Sequence, residues 1–310
     1  MAILVVGSFM TDLVARTSEK PSSGQTIIGN EFNLFLGGKG ANQAVSAHRQ
    51  GSSVKITGAL GSDQFGKEFK SFFSKEGFDT SHILDKNESS GIGHIVVDEK
   101  SGENQIIIIP GANLSYTTSD LMAHEHLFTN SNIVMNQLEM NFEVNELSKK
   151  LAIKYQALYL LNPAPYRFLS DEFLNGIDIL TPNETELEGL LNKPLKTLKD
   201  IESAAKEINL KGVSHVIVTL GSRGALHCHQ NNCHLYPAFP ITDVLDSTGA
   251  GDTFNGALAA MLDQGLNMDD AIIHANAAAA LCVMKKGAIP SIPNLKEVKE
   301  FINERKKKTV

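Results

Sequence analysis

The sequence predicts an α/β fold, a doubly wound and mainly parallel sheet flanked by helices, and three observations carry that prediction. Short, nearly continuous apolar runs recur along the chain, amphipathic helical patterns lie between several of them, and polar clusters follow the ends of the runs. Such runs suit strands buried on both faces of a parallel sheet. Their alternation with helices implies right-handed crossovers. With 310 residues, the chain is long enough to form one domain over 1–310 with a sizeable core.

The first run covers residues 3–6 and stops at Gly7; it has no basic n-region and is far too short for a signal segment or a spanning helix. Further runs lie at 54–60, 133–138, 157–161, 177–180 and 216–220. Between them, Phe65, Phe69, Phe72 and Phe73 recur at i, i+4, i+7 and i+8 before Gly77, giving one apolar helix face and a glycine stop. Residues 201–210 behave likewise and end near Gly212. Two stretches break the alternation. Residues 26–36 and a hairpin of 91–97 with 105–109 across the polar loop 98–103 read as a small sheet set apart, or else as edge strands of the main one. Apolar residues on both faces at 106–109 mean that such a sheet needs cover from the main domain, a ligand or a partner subunit.

Composition excludes several classes. Net charge is −7 and no basic stripe is present, so nucleic acid is not an expected partner, nor is a membrane. The run Lys306-Lys307-Lys308 reads as a solvated tail. Three cysteines, Cys228, Cys233 and Cys282, make no disulfide framework, which fits a soluble protein of the reducing cytoplasm. Residues 227–234 carry soft ligands but no second ligand pair at a recognised metal spacing. Strand alternation sets His227 and His229 on one face and Cys228 on the other, with Asn231-Asn232 as a hairpin turn.

The chemistry concentrates at 246–252, Asp-Ser-Thr-Gly-Ala-Gly-Asp, which feeds a long apolar helix. Gly249 and Gly251 let the backbone approach a ligand, and the free N–H groups of the first turn, at the positive end of the helix dipole, suit an anion such as phosphate. Asp252 at that end is a base for an incoming hydroxyl once phosphate occupies the turn; the plainer alternative is a capped turn. Polar groups also follow other runs: Asp12 after the first, Glu139 after 133–138, Asn183 and Glu186 after 177–180, and Thr219, Gly221 and Gly224 after 216–220. Parallel α/β folds place their sites at these strand ends. A second glycine cluster, Gly37-Gly38-Lys39-Gly40-Ala41-Asn42-Gln43, has neither P-loop nor dinucleotide spacing and suits a small polar ligand, with Lys39 and Asn42 donating to its hydroxyls.

These two glycine segments resemble the signatures of the ribokinase-like (PfkB) sugar kinases, and Asn162-Pro163-Ala164-Pro165, residues 181–186, residues 219–224 and residues 287–291 fall in family order across essentially the whole chain. The resemblance implies Asp252 as catalytic base and the backbone of Gly249, Ala250 and Gly251 as anion hole. It implies D-ribose held by Asp12, Gly38, Lys39, Asn42, Glu139 and Asp252. ATP contacts would come from Asn183, Thr219, Gly221, Gly224, Gly251 and Asn276, with Glu186 organising Mg2+ and the phosphates. A K+ ion would sit by Asp246, Thr248, Cys282, Lys285, Gly287 and Ser291, several through backbone carbonyls. The two hairpin stretches match the family's lid, here about 13–36 and 90–112, which commonly forms a homodimer contact. One position departs from the bacterial pattern: Met10 stands where a sugar-binding Asn is expected. Another sugar or a nucleoside as substrate therefore stays open, as does a non-catalytic binding protein.

Overall fold

In the computed structural model of the chain, which describes residues 2–101 and 103–308, the predicted runs become the middle of a single sheet. Thirteen strands are formed among the described residues: β1 Ile3–Val6, β2 Met10–Thr17, β3 Glu31–Gly37, β4 Val54–Gly61, β5 Ile83–Lys86, β6 Gly91–Asp98, β7 Asn104–Ile109, β8 Ile133–Asn136, β9 Leu158–Leu161, β10 Ile179–Leu180, β11 His215–Thr219, β12 Ala225–His229 and β13 Asn232–Tyr236. Nine of them form the main sheet in the order β13-β12-β11-β10-β9-β8-β1-β4-β5. It is parallel from β5 to β11 and ends in two antiparallel strands, so the fold is α/β with a mainly parallel sheet. Strand order reverses beside β1, which starts the chain near the centre and opens a crevice at the strand carboxyl ends.

Each face of the sheet has its own apolar core. On one side the helices Lys39–Arg49, Ala250–Asp263 and Met268–Cys282 pack with Phe9, Phe69 and Phe73. The phenylalanine pattern behaves as expected: Phe69 and Phe73 of the helix Gln64–Lys75 are fully buried and meet Phe9 edge-on at 5.6 and 5.7 Å. Edge-to-face contact is the preferred arrangement of such rings.

The remaining strands form a separate four-stranded sheet in the order β3-β2-β6-β7, a lid rather than an edge of the main sheet. It differs from expectation in one element. β2 begins at Met10, so the lid starts earlier than residue 13 and Asp12 is a lid residue, paired with Phe35 and Gly93. Asp12 and Arg16 broke the apolar pattern by which strands were recognised. Phe32 and Ile107 stay 65 % and 62 % exposed on this sheet, so the expected need for cover persists in the isolated chain.

Two other expectations need correction. The hairpin at 225–236 forms, but its two-residue turn is Gln230-Asn231, since Gln230 adopts a left-handed φ of 53° and Asn232 already belongs to β13. That register sets Cys228 opposite Cys233, and the two are joined as a disulfide, where none was expected. Cys282 is free and buried. The Lys306–Lys308 run, expected as a solvated tail, ends the helix Leu295–Lys308, and its side chains lie outside the described residues. Gly102, within the predicted polar loop, also lies outside them. Among the described residues no helix is long and apolar enough to cross a membrane.

Candidate active site

The turn before the helix Ala250–Asp263 is built by Gly249, whose φ of 77° lies in the left-handed region that favours glycine. Its carbonyl accepts from Thr253 at 2.8 Å and starts the helix, leaving the N–H groups of the first turn directed out of its end. Asp252 lies in that turn and is nearly buried. Its two oxygens are held separately, Oδ2 by Asn42 Nδ2 at 2.8 Å and Oδ1 by Gln43 Nε2 at 3.0 Å. Asn42 and Gln43 belong to the helix Lys39–Arg49, which starts inside the second glycine cluster, so the two signature segments meet side chain to side chain.

A cavity of about 220 Å³ opens above this turn. Its wall includes Lys39, Asn183, Glu186, Thr219, Gly249, Gly251 and Asp252, which gathers residues predicted for base, anion hole, sugar and nucleotide at one place. Asn183 and Glu186 also form a capping box on the helix Glu184–Leu191: Asn183 Oδ1 accepts from the Glu186 N–H and Glu186 Oε2 accepts from the Asn183 N–H, both at 2.8 Å. The capping and ligand readings of this pair therefore coexist. Each residue keeps polar capacity facing the cavity.

Charge is concentrated here. Burial pushes Asp12 up to about 7, with Glu139 and Asp252 adding to the rise. Burial likewise raises Glu139 and Glu186, partly offset for both by Lys39. Burial pulls the Lys39 ammonium down, but Asp252, Glu139 and Glu186 outweigh it and leave the group above its ordinary value. Glu139 Oε2 accepts from the Ser8 hydroxyl and from the Lys39 N–H at 2.9 Å, so this carboxylate caps the helix start while its other oxygen stays free of these bonds. Within the lid, Gly93 of β6 lies close against Asp12 of β2: a Cβ built on Gly93 would lie 2.4 Å from Asp12 Oδ1, so only glycine leaves the carboxylate its place.

Not every predicted residue reaches the cavity. Asn276 is buried and donates to the Tyr236 carbonyl at 3.1 Å, tying down the chain after β13, and is not on the cavity wall. Gly221 and Gly224 form a short turn beside Thr219 with left-handed φ angles of 56° and 100°. Gly38, at φ 89°, precedes the helix Lys39–Arg49. The third set clusters apart: Asp246 accepts from the N–H groups of Thr248 and Gly287, both at 2.9 Å, and Cys282 Sγ lies 3.0 Å from Ser291 Oγ. Burial would raise Asp246, but hydrogen bonds from the Thr248 side chain and from the Gly287 and Thr248 N–H groups leave its carboxyl below the ordinary range. The Lys285 ammonium is drawn off to Glu297 at 2.9 Å. Residues to which the sequence assigns no role also belong here. Asn162 and Asn255 line the cavity, and Ser8 and Gln43 support its carboxylates. Their only signal was polarity just past a strand end or within an apolar helix.

A doubly wound sheet, a separate β lid and a glycine turn at a helix start with a buried carboxylate in it are the parts expected of a phosphotransferase for an alcohol group. The profile described as pfkB family carbohydrate kinase matches residues 2–295. The chain belongs to that family and is a sugar kinase. It is 38 % identical over 301 residues to a ribokinase of Haemophilus influenzae, covering 97 % of this chain and 98 % of that one. It is 34 % identical over 305 residues to a deoxyribokinase of Salmonella typhi, covering 98 % and 99 %. Among solved structures, the ribokinase of Arabidopsis thaliana complexed with ribose and ATP superposes with a TM-score of 0.89 at 32 % identity, covering 97 % of this chain and 98 % of that one.

Proposed function

We propose that the chain transfers the γ-phosphoryl group of ATP to the 5-hydroxyl of D-ribose, giving ribose 5-phosphate. The observation that carries this reading is the Asp252 carboxylate, set in the first turn of a helix, facing a cavity it shares with Lys39 and Glu186. An alcohol is a weak nucleophile, and phosphoryl transfer asks mainly for in-line placement and charge stabilisation. Asp252 takes the hydroxyl proton as the new P–O bond forms, and the N–H groups of Gly249, Ala250 and Gly251 receive charge building on the γ-phosphate. Asp12, Gly38, Lys39, Asn42 and Glu139 hold the sugar hydroxyls. Asn183, Thr219, Gly221, Gly224 and Asn276 form the nucleotide side, the last by shaping the strand end. The β lid closes over the sugar and excludes water, which limits wasteful ATP hydrolysis.

Two cations complete the reading. Glu186, on the cavity wall, would organise Mg2+ and the phosphates, and the ion would neutralise charge on the phosphate oxygens. For K+, the Asp246 carboxylate accepts from the Gly287 N–H at 2.9 Å and the Val283 carbonyl accepts from the Leu245 N–H at 2.9 Å, which ties the Asp246 loop to the segment after the helix Met268–Cys282. With the Lys285 ammonium drawn to Glu297, this supports a monovalent cation held by Asp246, Thr248, Cys282, Lys285, Gly287 and Ser291. The exposed apolar residues of the lid support a homodimer through that sheet. The low cysteine number supports a cytoplasmic location, against which the Cys228–Cys233 disulfide stands.

One observation favours a second reading. Met10 is buried with its Sδ 3.8 Å from Asn113 Nδ2, and it brings no hydrogen-bonding amide to the sugar side. Together with the similarity to a deoxyribokinase, this supports 2-deoxyribose as an alternative acceptor. ADP release measured with ribose, 2-deoxyribose, fructose and adenosine separates the readings: ribose gives the highest kcat/KM in the first, deoxyribose in the second, and no sugar-dependent release defeats both.

A further inference from the structure

Beneath the cavity runs a chain of buried amides that the proposed chemistry does not use. Gln43 is fully buried and is not on the cavity wall. Its Nε2 donates to Asp252 Oδ1 at 3.0 Å and to Asn162 Oδ1 at 3.1 Å, while its Oε1 accepts from Gln137 Nε2 at 2.7 Å. A primary amide has two N–H donors and one oxygen, and here all are engaged. Reversing it would set its oxygen against those of Asp252 and Asn162, and its NH2 against that of Gln137. Asn162 is itself oriented, because its Nδ2 donates to the Thr181 carbonyl at 2.9 Å.

We propose that Gln43 is a positioning residue for the Asp252 base, fixing the rotation of its carboxylate so that a lone pair meets the sugar hydroxyl. Gln137, Asn162 and Thr181 follow β8, β9 and β10, so the amide chain anchors that rotation to the carboxyl edge of the sheet. Asn42, the other group on Asp252, is shared with the sugar; Gln43 is committed wholly to the protein. An off-angle base loses rate without losing substrate, because the sugar and nucleotide contacts lie elsewhere. The inference rests on Asp252 being the base.

The test compares the wild-type enzyme with Gln43→Met, Gln43→Glu and Asp252→Asn, reading kcat, both KM values, the pH profile of kcat and the melting temperature. For Gln43→Met the expected kcat is about 100-fold lower, with each KM within about threefold. Gln43→Glu, nearly equal in shape, adds a carboxyl group beside Asp252, and the acid limb of the kcat profile moves up by about one pH unit or more. If Gln43→Met does not fold, Gln43→Glu alone decides. A merely structural role would lower the melting temperature and leave the limb in place. Wild-type kcat and an unmoved limb in folded Gln43 variants, with Asp252→Asn inactive, would overturn the positioning role alone. Activity retained in Asp252→Asn would overturn the base assignment beneath it.

Discussion

The floor of the cleft and the lid above it are built on opposite terms. On the floor, Gln43 and Thr253 are fully buried, and both Asp252 oxygens have donors fixed by the core. On the lid, Ile106, Ile107, Ile108 and Ile109 in β7 are each about half exposed, and Asp12 sits among other carboxylates at a raised value. On the floor both Asp252 oxygens are held in the isolated chain, while Asn42 Oδ1 and Asn255 Oδ1 are buried there without a hydrogen-bond partner. The lid leaves apolar surface and a frustrated carboxylate for a ligand or a second subunit to satisfy. On the proposed reading the chemistry is preorganised on the floor, and the lid selects and encloses the sugar.

Variants that strike each side should separate these roles. The largest effect belongs to the floor: Asp252→Asn keeps the shape and removes the base, and kcat should fall about 10³-fold or more with ribose KM little changed, read by coupled ADP release. Next is the cation loop. Asp246→Ala should abolish stimulation by K+ over Na+ and lower kcat by roughly tenfold, checked by titrating each ion at constant ionic strength; a K+ response equal to wild type would remove Asp246 from that site.

On the lid, Ile107→Asp should shift the species seen by light scattering toward monomer while the kcat of the floor changes by less than about threefold at saturating ribose. The smallest effect is on stability. Asp12 titrates at about 7 folded against 3.8 as its ordinary value. The folded state therefore binds the proton more tightly, and Asp12's stabilisation is complete below about pH 4 and lost as pH rises through about 7. Asp12→Asn should melt a few degrees above the wild-type apo protein at about pH 8, with the gap closing toward about pH 4, while sugar use is lost. An unchanged or widening gap at low pH would show that Asp12 is not the strained group.

Much of this contrast was legible in sequence, for a physical reason. Strands β1, β4, β8, β9, β10 and β11 are buried on both faces and so appear as plain apolar runs. β2 and β5 were missed because one carries Asp12 and Arg16 and the other Asp85 and Lys86, charges tolerated at a lid and at a sheet edge. The glycine turn with Asp252 was legible because its anion-binding character is local. Gln43 was quoted within its motif and given no role, since its partner lies 209 positions away and only the fold joins them. For Asn276 the resemblance implies a nucleotide contact, while in the structure its Nδ2 donates to the Tyr236 carbonyl.

The central claim is that Asp252 in the glycine turn is the base for transfer of the ATP γ-phosphoryl group to a sugar hydroxyl, with ribose as the acceptor. Steady-state ADP release with ATP, Mg2+ and K+ tests it directly, measured with and without ribose on the wild-type protein and on Asp252→Asn. The account expects ribose-dependent turnover in the wild type and about 10³-fold less in the variant. Turnover independent of ribose, or equal in the two proteins, would contradict it.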